Sequence, residues 1–257
     1  MKKIISLLVF FTAVVASKNL PAEILESSDI SLALVLARPE SLLVFDLDNT
    51  LIEPVQLLGS DQWVGHQLET LVKKGCSMQE ALAEVLPSWL SILKKTEMRV
   101  VDPVIPSLMN HLRQRKISCL GLTKRDPDAV CSTIEQLQKL NIHFFPCKNR
   151  KLLEEFPGGA RYKEGVLFTG RGEDKGHCLL AYLKQFRTLP SHIIAIDDKI
   201  AHLKSIERAS QSLGIPFIGI RYSITDERVK NFDPHIAEIQ WNYFHKILSD
   251  EEAKKLL

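Results

Sequence analysis

Residues 42–45, Leu42-Leu43-Val44-Phe45, form an unbroken apolar run that ends directly in two carboxylates, Asp46 and Asp48, followed by Asn49 and Thr50. A run this short and this apolar has the profile of a buried strand whose last residues become a reactive edge. In an extended chain Asp46 and Asp48 share one face while Leu47 points the other way, so the spacing brings two negative charges toward one small volume. Such crowding is costly unless a cation or a proton is shared there. A second apolar run, residues 192–196, closes on another acidic pair, Asp197-Asp198. Two acidic strand ends in one chain point to a divalent metal site.

Further strand candidates lie at residues 117–122 and 216–220, and the segments 102–115, 128–140, 175–186 and 201–213 carry helical periodicity. Strands separated by helices of that length predict crossover units, hence a parallel sheet with helices on both faces, a Rossmann-like three-layer α/β/α sandwich. Residues 60–100 interrupt the rhythm. Their segments 61–74 and 78–95 repeat apolar residues at three- and four-residue spacing, with Gly75 and Ser77 between them. This predicts a small helical cap inserted after the first strand, with the core formed by residues 17–59 and 101–257. Around Lys163–Gly165 a hairpin is expected between 161–162 and 166–169, and residues 236–248 read as a terminal helix covering the core. Gly170 and Gly172 match neither GxGxxG nor GxxxxGK and are read as turn residues.

Residues 1–16 place Lys2 and Lys3 before an apolar run that ends in Val14-Val15-Ala16, the pattern of a cleaved signal peptide. The run is shorter than the roughly 20 residues that cross a bilayer, and no later segment is long or apolar enough to do so. The chain carries 33 Lys and Arg against 31 Asp and Glu, and loss of the leader would remove two lysines and no acid. The balanced remainder offers no electrostatic case for nucleic acid or an anionic membrane. Export would permit disulfides, but the five cysteines, Cys76, Cys119, Cys131, Cys147 and Cys178, form no CxxC or zinc-like cluster, and their odd number leaves at least one unpaired in a monomer. Cys119 lies inside a strand candidate and is read as a small buried hydrophobe.

Taken in order, four motifs resemble those of haloacid-dehalogenase-type phosphohydrolases, and more narrowly the secreted acid-phosphatase-like branch. Asp46-Leu47-Asp48-Asn49-Thr50 matches DxDxT; Thr123, after residues 117–122, holds the hydroxyl position of the second motif; Lys175 precedes a helix as the lysine of the third; and Asp197-Asp198 forms the acidic fourth. The resemblance covers roughly residues 42–220. It implies hydrolysis of a phosphate monoester, with Asp46 as the nucleophile that forms an aspartyl phosphate and Asp48 as the acid and base. It also implies Mg²⁺ held by Asp46, Asp197, the backbone carbonyl of Asp48 and, through water, Asp198. Thr123 and Lys175 suit the non-bridging phosphate oxygens. His202 departs from the pattern, which often has Asp or Asn there.

The expected partner is a small phosphorylated molecule, and the expected compartment is periplasmic or secreted. Phosphoryl transfer between sugar carbons uses the same core residues, though export argues against it; a non-enzymatic secreted interaction protein is the remaining alternative, against which the intact Asp46, Asp48, Lys175 and Asp197 speak. Trp63, His66 and Trp89 fall in the cap, where an aromatic either packs the module or roofs a substrate. His177 and His202 stand near the motifs without an assigned role.

Overall fold

The computed structural model describes residues 23–145, 155–170, 173–185 and 189–257, so the leader and Cys147 lie outside it. Among the described residues nine strands and ten α-helices follow in chain order. The main sheet is built from β1 (Glu23–Ser27), β2 (Ser41–Phe45), β5 (Ser118–Thr123), β6 (Arg161–Lys163), β7 (Val166–Phe168), β8 (His192–Asp197) and β9 (Phe217–Tyr222). Its order is β1-β9-β8-β2-β5-β7-β6, parallel throughout except for the edge strand β6, which forms a hairpin with β7. The result is a Rossmann-like α/β/α sandwich with a helical region inserted after β2. Edge strand β1 and the short helix α1 (Leu32–Leu36) gave no sequence signal, because β1 sets only the apolar pair Ile24-Leu25 between two glutamates, without alternation, and α1 is five residues long.

Side-chain alternation along β2 explains the two-sided core. Leu43 and Phe45 join the cluster that includes Ile105, Leu108 and Leu112 of α4 (Ile105–Gln114) and Ile134 and Leu137 of α5 (Val130–Lys139). Leu42 and Val44 join the opposite cluster with Leu179 and Leu183 of α6 (Lys175–Leu183) and Leu203 and Ile206 of α7 (Ile200–Ser212). Every residue of β2 and β8 is buried, which is why both read as continuous apolar runs rather than alternating ones. Cys119 is buried as expected, and Cys76, Cys131 and Cys178 are free thiols.

The inserted region begins with β3 (Ile52–Pro54), which pairs antiparallel with β4 (Met98–Val100) to form a ribbon under the cap. Glu53 is buried in this ribbon and accepts from Arg99 Nε at 2.7 Å, while Arg228 of α8 (Asp226–Lys230) pairs with it from the core side. Between the two strands lie α2 (Asp61–Lys73) and α3 (Met78–Leu93), each started by a serine: Ser60 Oγ accepts from Trp63 N, and Ser77 with Glu80 makes a capping box. Gly59 precedes α2 at φ +83°, where an added Cβ would meet Ile92 Cγ2 at 2.5 Å.

The tail differs from the single helix expected over residues 236–248. It divides into α9 (Pro234–Asn242), a 3₁₀ turn and α10 (Asp250–Lys254), because Ser249 and Glu252 form a second capping box that starts a new helix. Its destination differs as well. Ala237 packs with Leu58, Trp63, Val85 and Ile92, so α9 buttresses the cap. Gln240 accepts from Leu58 N at 2.9 Å and Asp250 accepts from Leu57 N at 2.9 Å, holding the loop that enters the cap from outside. Among the described residues no helix is long and apolar enough to cross a membrane.

Helices α6 and α7 meet without a spacer at Gly176, whose N–H donates to Ser205 Oγ at 2.8 Å. A Cβ there would lie 2.1 Å from the Ser205 carbonyl oxygen, a backbone atom that cannot swing aside. Alanine would gain about 1 kcal/mol of helix propensity, less than the roughly 1–3 kcal/mol that overpacking costs even before a backbone clash is counted. Gly176→Ala is therefore expected to lower Tm by several degrees, on the scale of roughly 2–4 °C per kcal/mol for a chain of this size. Thermal unfolding followed by circular dichroism measures it, and an unchanged or higher Tm contradicts the close helix approach.

Candidate active site

Parity along the strands decides where the acidic ends point. Asp46 continues the Leu42–Val44 face of β2 and Asp197 the Ile193–Ala195 face of the neighbouring β8, so both carboxylates emerge on the side of α6. Lys175, the first residue of α6, fills the space between them: its Nζ lies 2.7 Å from Asp46 Oδ1 and 2.7 Å from Asp197 Oδ2. The lysine is 1 % exposed and the two aspartates 7 % and 1 %. An ammonium so buried is tolerable only because it meets two carboxylates, and removing one member of such a pair typically costs about 3–5 kcal/mol. Asp46 Oδ1 also accepts from Leu47 N at 2.8 Å, and Asp197 Oδ1 accepts from Lys199 N at 2.8 Å.

His202, on the first turns of α7, brings Nδ1 to 3.0 Å from Asp197 Oδ1 and 3.2 Å from Oδ2. Asp46, Asp197 and His202 offer ligand atoms within 4.8 Å of one another, a candidate metal-binding cluster. The histidine at 202 thus stands inside the constellation. Its signal in the sequence was its place five residues after Asp197, in the first turn of the helix that follows the strand.

Asp48 takes a different direction. The strand ends at Phe45, and the chain turns sharply over Leu47, whose carbonyl accepts from Thr50, Leu51 and Ile52 N, with Asn49 in the left-handed region at φ 59°. Asparagine tolerates that conformation better than most residues. The turn directs Asp48 toward Arg125, which forks onto it with Nε to Oδ2 at 2.9 Å and Nη2 to Oδ1 at 2.7 Å. Asp46 and Asp48 are therefore met by different cations, where the period-two pattern alone placed them on one face. Arg125 is 1 % exposed and also donates from Nη1 to Thr133 Oγ1 at 3.0 Å and Gln136 Oε1 at 2.8 Å; Gln136 Nε2 in turn donates to the Leu93 carbonyl at the end of α3, 2.8 Å away. The Asp48 carboxylate is linked in this way to the cap. Sequence reading missed Arg125, because a lone arginine after a strand is normally solvated and nothing local marks it as buried.

Thr123 ends β5 beside β2, buried, with Oγ1 accepting from Arg125 N at 3.1 Å. Asp198 is tied by its N–H to Thr50 Oγ1 at 3.1 Å, which fastens the fourth motif to the last residue of the first. Its Oδ1 is buried with no hydrogen-bond partner among the described residues. His177 is exposed, 3.7 Å from Glu173, on the outer face of α6. Trp63 is buried in the cap against Trp241, and His66 is exposed.

The electrostatics show an excess of negative charge. Burial and the neighbouring Asp197 push the Asp46 carboxyl up to about 6 against the pull of Lys175. Burial, Asp46 and Asp197 push Asp198 further, to about 8. For Asp197 burial acts upward, but Lys175 and His202 prevail and bring it down to about 2. Lys175 is raised despite its burial, by Asp197 and then Asp46. Lys175 alone does not balance the buried Asp46 and Asp197 together with the half-buried Asp198, an imbalance that suits the candidate metal-binding cluster.

Comparison with known proteins gives a consistent but coarse picture. A protein named "Putative outer membrane protein" from Chlamydia trachomatis serovar D is 29% identical over 214 residues, covering 83% of this chain and 81% of that one. One of the same name from Chlamydia muridarum is 27% identical over 215 residues, covering 84% and 81%. Among solved structures, a HAD-superfamily hydrolase of subfamily IA from Geobacter sulfurreducens superposes with a TM-score of 0.38 at 12% identity, over 73% of this chain and 95% of that one. A hydrolase from Pseudomonas syringae reaches 0.42 at 14% identity, over 75% and 100%. Superposition at that level does not bear on chemistry. The family model described as "Protein of unknown function (DUF2608)" matches residues 23–254, and the chain belongs to that family.

Proposed function

We propose that the protein is a Mg²⁺-dependent phosphomonoesterase, hydrolysing its substrate through an aspartyl phosphate on Asp46. The observation that carries this reading is the buried Asp46–Lys175–Asp197 bridge at the carboxyl ends of adjacent parallel strands, with Asp46 opening a DxDxT motif. Of the two DxDxT carboxylates Asp46 is the one that meets Lys175, whereas Asp48 turns to Arg125, and an ionised oxygen on Asp46 is placed to attack phosphorus. Lys175 neutralises part of the phosphate charge, and Thr123 contributes a hydroxyl. Asp48 is the proposed acid and base. Its fork to Arg125 fixes its orientation, and both of its oxygens must be shared with the guanidinium while it works.

The donors fit Mg²⁺, a hard cation that prefers oxygen ligands. Asp46 and Asp197 supply carboxylate oxygens, and the unpartnered Asp198 Oδ1 is the buried polar atom that a bound cation or its water would satisfy. When bound, the ion would shield the carboxylates from an approaching phosphate dianion and polarise the phosphoryl group. The apolar leader of residues 1–16 and the names of the chlamydial relatives support an extracytoplasmic location for this chain, periplasmic or secreted.

Asp46→Asn keeps the side-chain shape but removes the attacking carboxylate. Turnover of phenyl phosphate with Mg²⁺ should fall by at least about 10³-fold, as when covalent catalysis is lost, and acid-quenched protein should carry no phosphoryl group, whereas wild type should. A phosphorylated Asp46→Asn protein, or full wild-type activity in EDTA, contradicts the proposal.

The perturbed carboxylates make a second expectation. A group whose pKa is higher folded than unfolded stabilises the fold below its unfolded value, near 3.8, and loses that contribution as pH rises through the folded value. Metal-free protein should therefore lose stability from about pH 4 to 6 through Asp46 and on to about 8 through Asp198. Asp197, lowered to about 2, acts oppositely and destabilises only as pH falls below its ordinary range. Mg²⁺ should accordingly raise Tm more at pH 8 than at pH 5, measured by calorimetry in chelator-treated and Mg²⁺-loaded samples. An equal rise at both pH values would count against these carboxylates as the ion's ligands.

A further inference from the structure

Between cap and core lies a cavity of about 290 Å³ that opens directly beside the carboxylate site. Its core wall is charged, formed by Asp48, Lys124, Arg125, Lys199 and His202. Its cap wall is carbon: Val64 and Leu68 from α2, and Leu82, Leu86 and Trp89 from α3. The polar groups that the cap brings to this wall are already bonded. Trp89 Nε1 donates to the Gly59 carbonyl at 3.1 Å, and Asp61 accepts from Lys199 Nζ at 2.6 Å.

Against the α2–α3 wall a hydroxyl-rich or charged leaving group would give up its water without replacement, because the charged groups line the opposite wall. An alkyl or aryl group would lose nothing and gain from leaving water, with each fully buried methylene worth roughly fourfold in affinity. The volume lies just below the range for ligand pockets, about 300–1,000 Å³, which favours a small organic group. We infer that this cavity is the leaving-group site and that the substrate class is the phosphate monoester of an apolar alcohol, an aryl or short alkyl group, in preference to a sugar phosphate or nucleotide. The inference rests on the phosphomonoesterase reading and adds to it the chemistry of the alcohol. The charged wall faces the phosphate, and the α2–α3 wall covers the organic group.

Phosphonates, which are not hydrolysed, test the cavity by binding alone. In calorimetric titrations of the full chain with Mg²⁺, n-hexylphosphonate should bind at least about 30-fold tighter than methylphosphonate, since its five extra methylenes have apolar wall to cover. Leu86→Asn should reduce that ratio below about fivefold. Leu86→Trp fills the cavity without making it polar and should move the optimum to a shorter chain, so that butylphosphonate outbinds hexylphosphonate; circular dichroism confirms that each variant is folded. Equal binding of the methyl and hexyl compounds, absence of binding by both, or tighter binding of glucose 6-phosphate than of hexylphosphonate overturns the inference. Turnover of phenyl phosphate is read in parallel. Turnover without chain-length discrimination defeats the cavity assignment alone, whereas discrimination without turnover defeats the esterase reading and leaves an apolar anion-binding cavity.

Discussion

The buried ammonium of Lys175 between Asp46 and Asp197 is the interaction on which the site depends. It joins three elements that are far apart in the chain, the ends of β2 and β8 and the start of α6. The close approach of α6 to α7 at Gly176 holds the lysine in place, and the β2–β8 ladder sets the spacing of its partners. Each charge is tolerated in the interior because the others are present. Three carboxylates against one lysine leave the cluster negative, and this is the property that makes a cation its natural complement.

Arg125 is a second buried cation with a different task. Where Lys175 is a compact point of charge between two carboxylates, the planar guanidinium grips one carboxylate with two parallel bonds and fixes its orientation. Its remaining donors continue through Gln136 to the last turn of α3. The Asp48 carboxylate is thereby connected to the cap that walls the cavity. The α9–α10 tail supports the same cap from outside, so the wall of the cavity is anchored at both ends.

Both the fold and the acidic ends were legible because they rest on local pattern. Uninterrupted apolar runs announced β2 and β8, helical periodicity announced α2 to α7, and the change of rhythm at residues 60–100 announced the insertion. Elements with weak local signals escaped: the edge strand β1, the three-residue strands β3 and β4, and the division of the tail. The tail also shows why destination is harder to read than conformation, since an apolar face specifies that something must be covered without specifying what.

From its sequence alone this chain determined a parallel α/β/α core, an inserted helical module, and carboxylates at two strand ends, because burial period and residue chemistry act over a few neighbouring positions. Only the tertiary structure decided that Asp46 and Asp197 share Lys175, that Asp48 turns to Arg125, that His202 joins the acidic cluster, and that Trp89 rather than Trp63 faces the cavity. Those outcomes depend on which strands are neighbours, on a left-handed turn at Asn49 and on how closely two helices approach. These are contacts between residues tens of positions apart, and no short window of sequence contains them.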